Sequence, residues 1–435
     1  PLDADGKPGA VEVRGDDADP ALSDRDIFGT NGLLKEAVDP SVIWEPKAAG
    51  DYLLEVIDTS GFGSPTGIYR VEIDTPPDSV HTLLASTAND RAECMRTSGL
   101  AVPQGNRWTV NVSLPLGQGS RFRGDFELVA SGLPAGVRLV SPRVPAGQPL
   151  WPVQFVADST AAPGGAMITL AARAVDPAIH LEGSSQQAIP FINHSGGNAW
   201  HTVRLDRFAL AVTDAAPFSI ELAQPPMPLV RGGELAIPVR LVRRPGFDEP
   251  IDFQCVFGPK GVGLPPAATI APGETTATLQ ISADPGAPLG AGPLFITATT
   301  LGNGEASAYL GAGRIRVSSE IVTLTVAEPF VELASEPASV RRGGRSRYRF
   351  AVKQKSPFDG VGTVRLLGLP KGVHAVEPQP TVTKDSTEIT FDLEATDEAL
   401  LGAVKGLTCE VTVKTGGQEI HQRAGNGTLR IDPKL

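Results

Sequence analysis

Trp108-Thr109-Val110-Asn111-Val112-Ser113-Leu114 alternates apolar and polar residues without a break. A period of two over this length predicts a strand with one face on a core and the other in water. Two later stretches repeat the pattern. Leu235, Ile237, Val239 and Leu241 alternate with Ala236, Pro238 and Arg240, while Tyr348, Phe350 and Val352 alternate with Arg347, Arg349 and Lys353. A glycine turn introduces each: Gly105, Gly232-Gly233 and Gly343-Gly344. Glycine adopts positive φ freely, so the chain can reverse at these points.

Each strand is followed by a turn bearing a phenylalanine: Phe122, Phe247 and Phe358. A further strand leads to a Leu-Pro turn. It reads Gly132-Leu133-Pro134-Ala135-Gly136-Val137 in the first repeat and Gly368-Leu369-Pro370-Lys371-Gly372-Val373 in the third. In the second repeat Gly261-Val262-Gly263-Leu264-Pro265 stands as a shuffled version. Alternation then returns around Trp151 to Phe155, Leu279 to Ile281 and Ile389 to Leu393, closing on Ala157-Asp158, Ala283-Asp284 and Ala395-Thr396-Asp397. Gly105 to Gly233 is 128 residues and Gly233 to Gly344 is 111. Repeats near 100 residues, each with about seven short strands, are what an immunoglobulin-like sandwich needs. The longer first spacing is taken up by the stretch from Val175 to Asn198. The fold class expected is all-β: Ig-like β-sandwich domains in tandem over 78–214, 217–327 and 330–435. Each is expected to bury its own core, and only Leu33–Val38 hints at a helical turn.

Composition agrees. Of 435 residues, 48 are glycine and 39 proline, one in five together, against about 12% on average. A hydrophobic fraction of 41% still supplies several cores. The net charge of -11 opposes non-specific nucleic-acid binding, which needs cations to neutralise phosphates. No apolar run reaches the 18 residues of a membrane-spanning helix. Cys94, Cys255 and Cys409 fall in different repeats and form no CxxC pair, so a disulfide framework and a thiolate zinc site are both unsupported. The first residue is Pro, and the reading expects a longer chain upstream.

Residues 1–76 do not share the repeat. They carry Ala49-Gly50-Asp51-Tyr52-Leu53-Leu54-Glu55-Val56, then Asp58, and close on Gly67-Ile68-Tyr69-Arg70-Val71-Glu72-Ile73. These words resemble the end of a bacterial pre-peptidase C-terminal (PPC) domain, in which a Tyr-bearing strand leads to an Asp turn and a closing Tyr-Arg strand. The resemblance implies an N-terminal partial PPC-like β-sandwich whose opening strands lie upstream. The whole chain, ending in Leu429-Arg430-Ile431-Asp432-Pro433-Lys434-Leu435, also resembles large secreted proteins of planctomycete-type bacteria. That likeness implies an extracellular or cell-envelope location and no reaction.

Catalytic grammar is missing: no GxSxG, HExxH, Walker loop or GxGxxG after a strand occurs. Two clusters stand as candidates. Asn193, His194, Trp200 and His201 put two imidazoles, an indole and an amide on one long insertion, a possible binding site. The competing reading is a polar loop whose Trp200 packs on its own sandwich. Asp3, Asp5, Asp16, Asp17, Asp19, Asp24 and Asp26, with Asp39 and Asp58 in reserve, could offer oxygens to a weakly held Ca2+. Asp3-Ala4-Asp5-Gly6 holds only two carboxylates of an EF-hand loop, and a solvated acidic turn competes. No other cofactor is expected.

Three smaller signals remain. Arg14-Gly15-Asp16 and Arg123-Gly124-Asp125 spell an adhesion tripeptide, although Gly-Asp is ordinary turn chemistry. Arg341, Arg342, Arg345, Arg347 and Arg349 could form a polyanion-binding face or a charged strand edge that resists aggregation. Asn111, Asn193 and Asn426 open glycosylation sequons. The function expected is a non-catalytic accessory stalk that spaces or docks an upstream part of its own chain. The alternative is a module binding polysaccharide or another envelope protein. Neither reading involves nucleic acid or a membrane span.

Overall fold

Strands form where the alternation lies. The computed structural model describes residues 1–15, 42, 44–57, 67–75, 78–85, 99–116, 120–193, 199–301, 314–415 and 418–434. The protein is all-β, with no helix among the described residues; Leu33–Val38 lies outside them. The chain divides into two units, Pro1–Ala215 and Ala216–Leu435.

The first unit holds one sandwich. Its strands are β1 (Leu83–Ala85), β2 (Gly99–Pro103), β3 (Arg107–Ser113), β4 (Phe126–Ser131), β5 (Val137–Val140), β6 (Leu150–Ala157), β7 (Gly164–Ala174), β8 (Glu182–Gly183), β9 (Gln187–Asn193), β10 (Ala199–Leu205) and β11 (Phe208–Thr213). One sheet runs β1-β3-β6-β5 and the other β2-β11-β7-β4, with β8 on β7. Phe155 of β6 meets Phe208 of β11 edge-on at 6.4 Å, and both rings are buried. The strand β3 differs from expectation. Its polar face is not in water: Thr109, Asn111 and Ser113 are buried, and Gln154 of β6 donates to Thr109 Oγ1 at 2.7 Å. Burial of Asn111 removes it as a glycosylation site.

The second unit holds two sandwiches. The earlier comprises β12 (Phe218–Leu222), β13 (Leu229–Val230), β14 (Gly233–Arg243), β15 (Ile251–Phe257), β16 (Val262–Gly263), β17 (Ala268–Ile270), β18 (Thr276–Ala283), β19 (Gly290–Thr300), β20 (Arg316–Ser318) and β21 (Val322–Ala327). The later comprises β22 (Val331–Ser335), β23 (Ala338–Arg341), β24 (Arg345–Gln354), β25 (Gly362–Leu367), β26 (Val373–Ala375), β27 (Thr381–Val382), β28 (Glu388–Ala395), β29 (Gly402–Thr415) and β30 (Gln418–Asp432). In β14 the alternation is kept, with Leu235, Ile237, Val239 and Leu241 all buried. The two sandwiches do not keep separate sheets. A nine-stranded sheet runs β16-β18-β14-β30-β29-β25-β27, with β12 on β14 and β23 on β30. One continuous cluster of buried apolar residues runs from Ala216 to Ile431, where self-contained cores were expected.

The internal repeat is visible in hydrogen bonds as well as strands. Val137 N donates to Pro134 O, Val262 N to Pro259 O and Val373 N to Pro370 O, at 3.0–3.1 Å. The turn of the second repeat is therefore Pro259-Lys260-Gly261-Val262, not the Gly261–Pro265 stretch. Leu264-Pro265 lies beyond it and copies the wording without the geometry. Each turn lies over a buried alanine, and the residue before the earlier glycine turn caps that alanine's carbonyl. Gln104 Nε2 reaches Ala161 O at 2.8 Å, Arg231 Nε reaches Ala287 O at 2.7 Å and Arg342 Nε reaches Ala399 O at 2.6 Å. The turn phenylalanines pack on ring neighbours: Phe122 on Phe126, Phe247 on Phe218 and Phe358 on Phe330.

Each sandwich also carries one parallel ladder, joining an early short strand to the last: β2 to β11, β13 to β21 and β23 to β30. This places the connection into the last strand at the end where the chain enters the sandwich.

Candidate functional site

Of the acidic candidates, Asp3 and Asp5 are described. Asp3 Oδ1 accepts from the backbone N–H of Asp5 at 2.9 Å and of Lys7 at 2.8 Å, while Gly6 N donates to Asp3 O. That carboxylate closes a local turn, and Asp5 is exposed beside it. Asp16, Asp17, Asp19, Asp24, Asp26, Asp39 and Asp58 lie outside the described residues. Among the described residues, no three His, Cys, Asp or Glu side chains are grouped to hold a metal ion.

The insertion candidates fall on a hairpin. Asn193 ends β9, Trp200 and His201 lie on β10, and His194 lies outside the described residues. Ala199 pairs with Asn193, His201 with Ile192 and Thr202 with Pro190. The two register shifts make Trp200 the extra residue on one strand and Phe191 the extra residue on the other. Bulges interrupt the ladder and sharpen the twist. β9 and β10 pair with each other and with no other strand among the described residues.

The arginine stretch is matched by carboxylates. Arg345 meets Glu394 at 2.8 Å, Arg347 meets Asp392 at 3.5 Å and Arg349 meets Glu388 at 3.9 Å, all across the β24–β28 ladder. Lys353 and Lys355 share Glu332, whose carboxyl is held below its usual range chiefly by the hydrogen bond from Lys355. Three of the five arginines and both lysines are thus paired with carboxylates. The tripeptide at Arg123 is also engaged: its guanidinium folds back on Phe122 O at 2.7 Å, and Asp125 pairs with Arg143 at 2.8 Å. Of the other tripeptide, Asp16 lies outside the described residues.

Cys255 and Cys409 are buried free thiols, and burial pushes both up to about 12. They are protonated and inert at neutral pH. Cys94 lies outside the described residues.

The most fully built polar site in the second unit is the seam between its two sandwiches. Gly233 of β14 pairs with Gln422 of β30 and Glu234 with His421, and Arg423 N donates to Gly232 O at 2.8 Å. The Gln422 side chain, 1% exposed, accepts from Phe330 N at 2.8 Å and donates to Val331 O at 2.6 Å. It therefore satisfies the backbone where the chain enters the third sandwich. Around it Arg231 faces Glu328 at 3.4 Å and Arg423 faces Glu234 at 3.5 Å. Sequence reasoning passed over Gln422. The signal was its phase: in Ile420-His421-Gln422-Arg423-Ala424 it occupies the apolar side of the alternation.

No protein-family profile matches the chain, and no curated protein sequence does. Solved structures resemble it distantly. An endo-fucoidan hydrolase of glycoside hydrolase family 107 aligns at 12% identity and TM-score 0.20 over 78% of this chain and 44% of its own. This chain thus spans less than half of that enzyme. Fibronectin(III)-like modules of Clostridium thermocellum CbhA align at 12% identity and TM-score 0.18, covering 49% of this chain and 94% of theirs. Domains 5-6 of the S-layer protein SbsC align at 15% identity and TM-score 0.20, covering 53% and 94%. At such likeness, no reaction or ligand carries over to this chain.

Proposed function

We propose that this chain is a non-catalytic accessory region of a secreted or cell-surface bacterial protein, a stalk that spaces or docks a part carried upstream on the same chain. The observation that carries this reading is the β14–β30 seam. A sheet continued from one sandwich into the next, with Arg423 N bonded to Gly232 O, leaves those two modules no free hinge. That suits a spacer and does not suit a cleft that closes on a ligand. The ion pairs of β24 and β28 support the same reading, since they weaken the field with which that face could recruit a polyanion. Residues 1–76 belong in this proposal to the end of a PPC-like domain, on the phrases around Tyr52 and Tyr69.

The second reading is a binding module for envelope polysaccharide or protein, and it rests on the two aromatic bulges of the β9–β10 hairpin. A glycan array probed with the whole chain separates the two, run beside generic peptide, ester and glycoside substrates. The stalk reading expects no saturable glycan binding and no turnover. Saturable binding that Trp200→Ala abolishes would establish the binding module instead, and turnover lost with His201→Ala would make the chain an enzyme.

A further inference from the structure

In the third sandwich, the connection into the last strand is the distal part of the β29–β30 hairpin, and it adds a strand edge to the preceding module at Gly233 and Glu234. In the first sandwich, the same connection holds the β9–β10 hairpin. Its base is fastened to the arriving chain. Thr82 N donates to Ser184 O at 3.2 Å, Gln186 N donates to Thr82 O at 3.0 Å, and Thr82 Oγ1 donates to Leu170 O at 2.7 Å. Beside them Gly183 passes so close to Val80 that a Cβ would overlap the Val80 carbonyl oxygen. The hairpin begins at the next residue, Gln187, and an isolated two-stranded hairpin is marginal in water.

The arriving chain carries a second unfinished element. Tyr69, Val71 and Ile73 alternate with Arg70 and Glu72, and Arg70 pairs with Glu72, as residues two apart on one face of a strand do. Ile68 is 97% and Ile73 86% exposed, and the segment joins no ladder among the described residues. Eight residues lie between Ile73 and Thr82, nine steps with a reach of about 30 Å when extended. So short a tether gives an effective concentration on the order of millimolar.

We propose that the β9–β10 hairpin is a docking arm for the chain's own segment Gly67–Ile73, which adds to its edge as a third strand and repeats at the first sandwich the seam made at the third. Backbone pairing completes both elements, and the alternating apolar residues leave water.

Hydrogen exchange on the whole chain tests this. Amides of 68–73 are expected to exchange about tenfold or more slowly than in an unstructured peptide. Replacing 187–205 with a Gly-Ser linker is expected to abolish that protection while β3 and β7 stay protected. Should the replacement loosen β3 and β7 as well, Thr202→Pro, which leaves the base at Ser184–Gln186 intact, is read in its place with the same expectation. Free exchange of 68–73 in the unaltered chain, or protection that survives both changes, overturns the proposal. Protection lost on dilution also overturns it, since the occupant would then be a second copy of the chain.

Discussion

Gly261 holds φ at +79°, and a Cβ there would stand 2.8 Å from the Cα of buried Ala287. Gly136 and Gly372 sit the same way over Ala161 and Ala399. Gly261→Ala therefore meets both backbone strain and a collision with main chain, and is expected to destabilise the second unit by about 2 kcal/mol or more. Gly273→Ala, at φ +78° with nothing within 4 Å, is the control and should cost about 1 kcal/mol. Urea midpoints of the two variants decide the ordering. The thiols give a second test. Unfolded, Cys255 and Cys409 ionise near 9; folded, near 12. Between those values only the unfolded chain releases the protons, so stability present below pH 9 is lost as pH rises toward 12. Thermal midpoints recorded from pH 8 to 11 should fall less steeply in Cys255→Ala with Cys409→Ala than in the unaltered chain. An equal slope would mean that other groups govern the alkaline limb.

At the scale of elements, one buried amide fastens the entry of the third sandwich beside the seam. Gln422→Ala leaves Phe330 N and Val331 O without their buried partner. The expected cost is about 2–3 kcal/mol, read as a lower thermal midpoint for the second unit. An unchanged midpoint would show that other groups take over both bonds. The strands themselves were legible because period-two alternation is a local property: β14 buries the residues its pattern nominates, and β24 buries Tyr348 and Phe350 and half-buries Val352. The turn of the second repeat was misplaced because Leu264-Pro265 imitates a phrase, whereas the geometry belongs to Pro259–Val262. The seam was not legible. It consists of two residue pairs between strands far apart in sequence, and only the out-of-phase Gln422 marked it. For the site candidates, residue type alone did not show that Arg345 and Arg347 each face a carboxylate across a ladder, with Glu388 diagonal to Arg349.

For the whole molecule, a net charge of -11 combined with those matched arginines predicts indifference to polyanions. The chain should pass through immobilised heparin at about 0.15 M salt, where screening already limits attraction to about 8 Å. Retention removed by Arg347→Ala would show that the arginines recruit anions despite their partners. The parallel ladders described above have a mechanical consequence. Once β1, β12 and β22 peel from their partners, tension along the chain reaches each sandwich through the early and last strands of its parallel ladder. Because these lie side by side and point the same way, the load shears all their hydrogen bonds together instead of peeling them one by one. That clamp is five residue pairs wide in the first sandwich, four in the third and two in the second. Under drag the second sandwich is thus the weakest link, and its unfolding rate sets how long the chain withstands a pull.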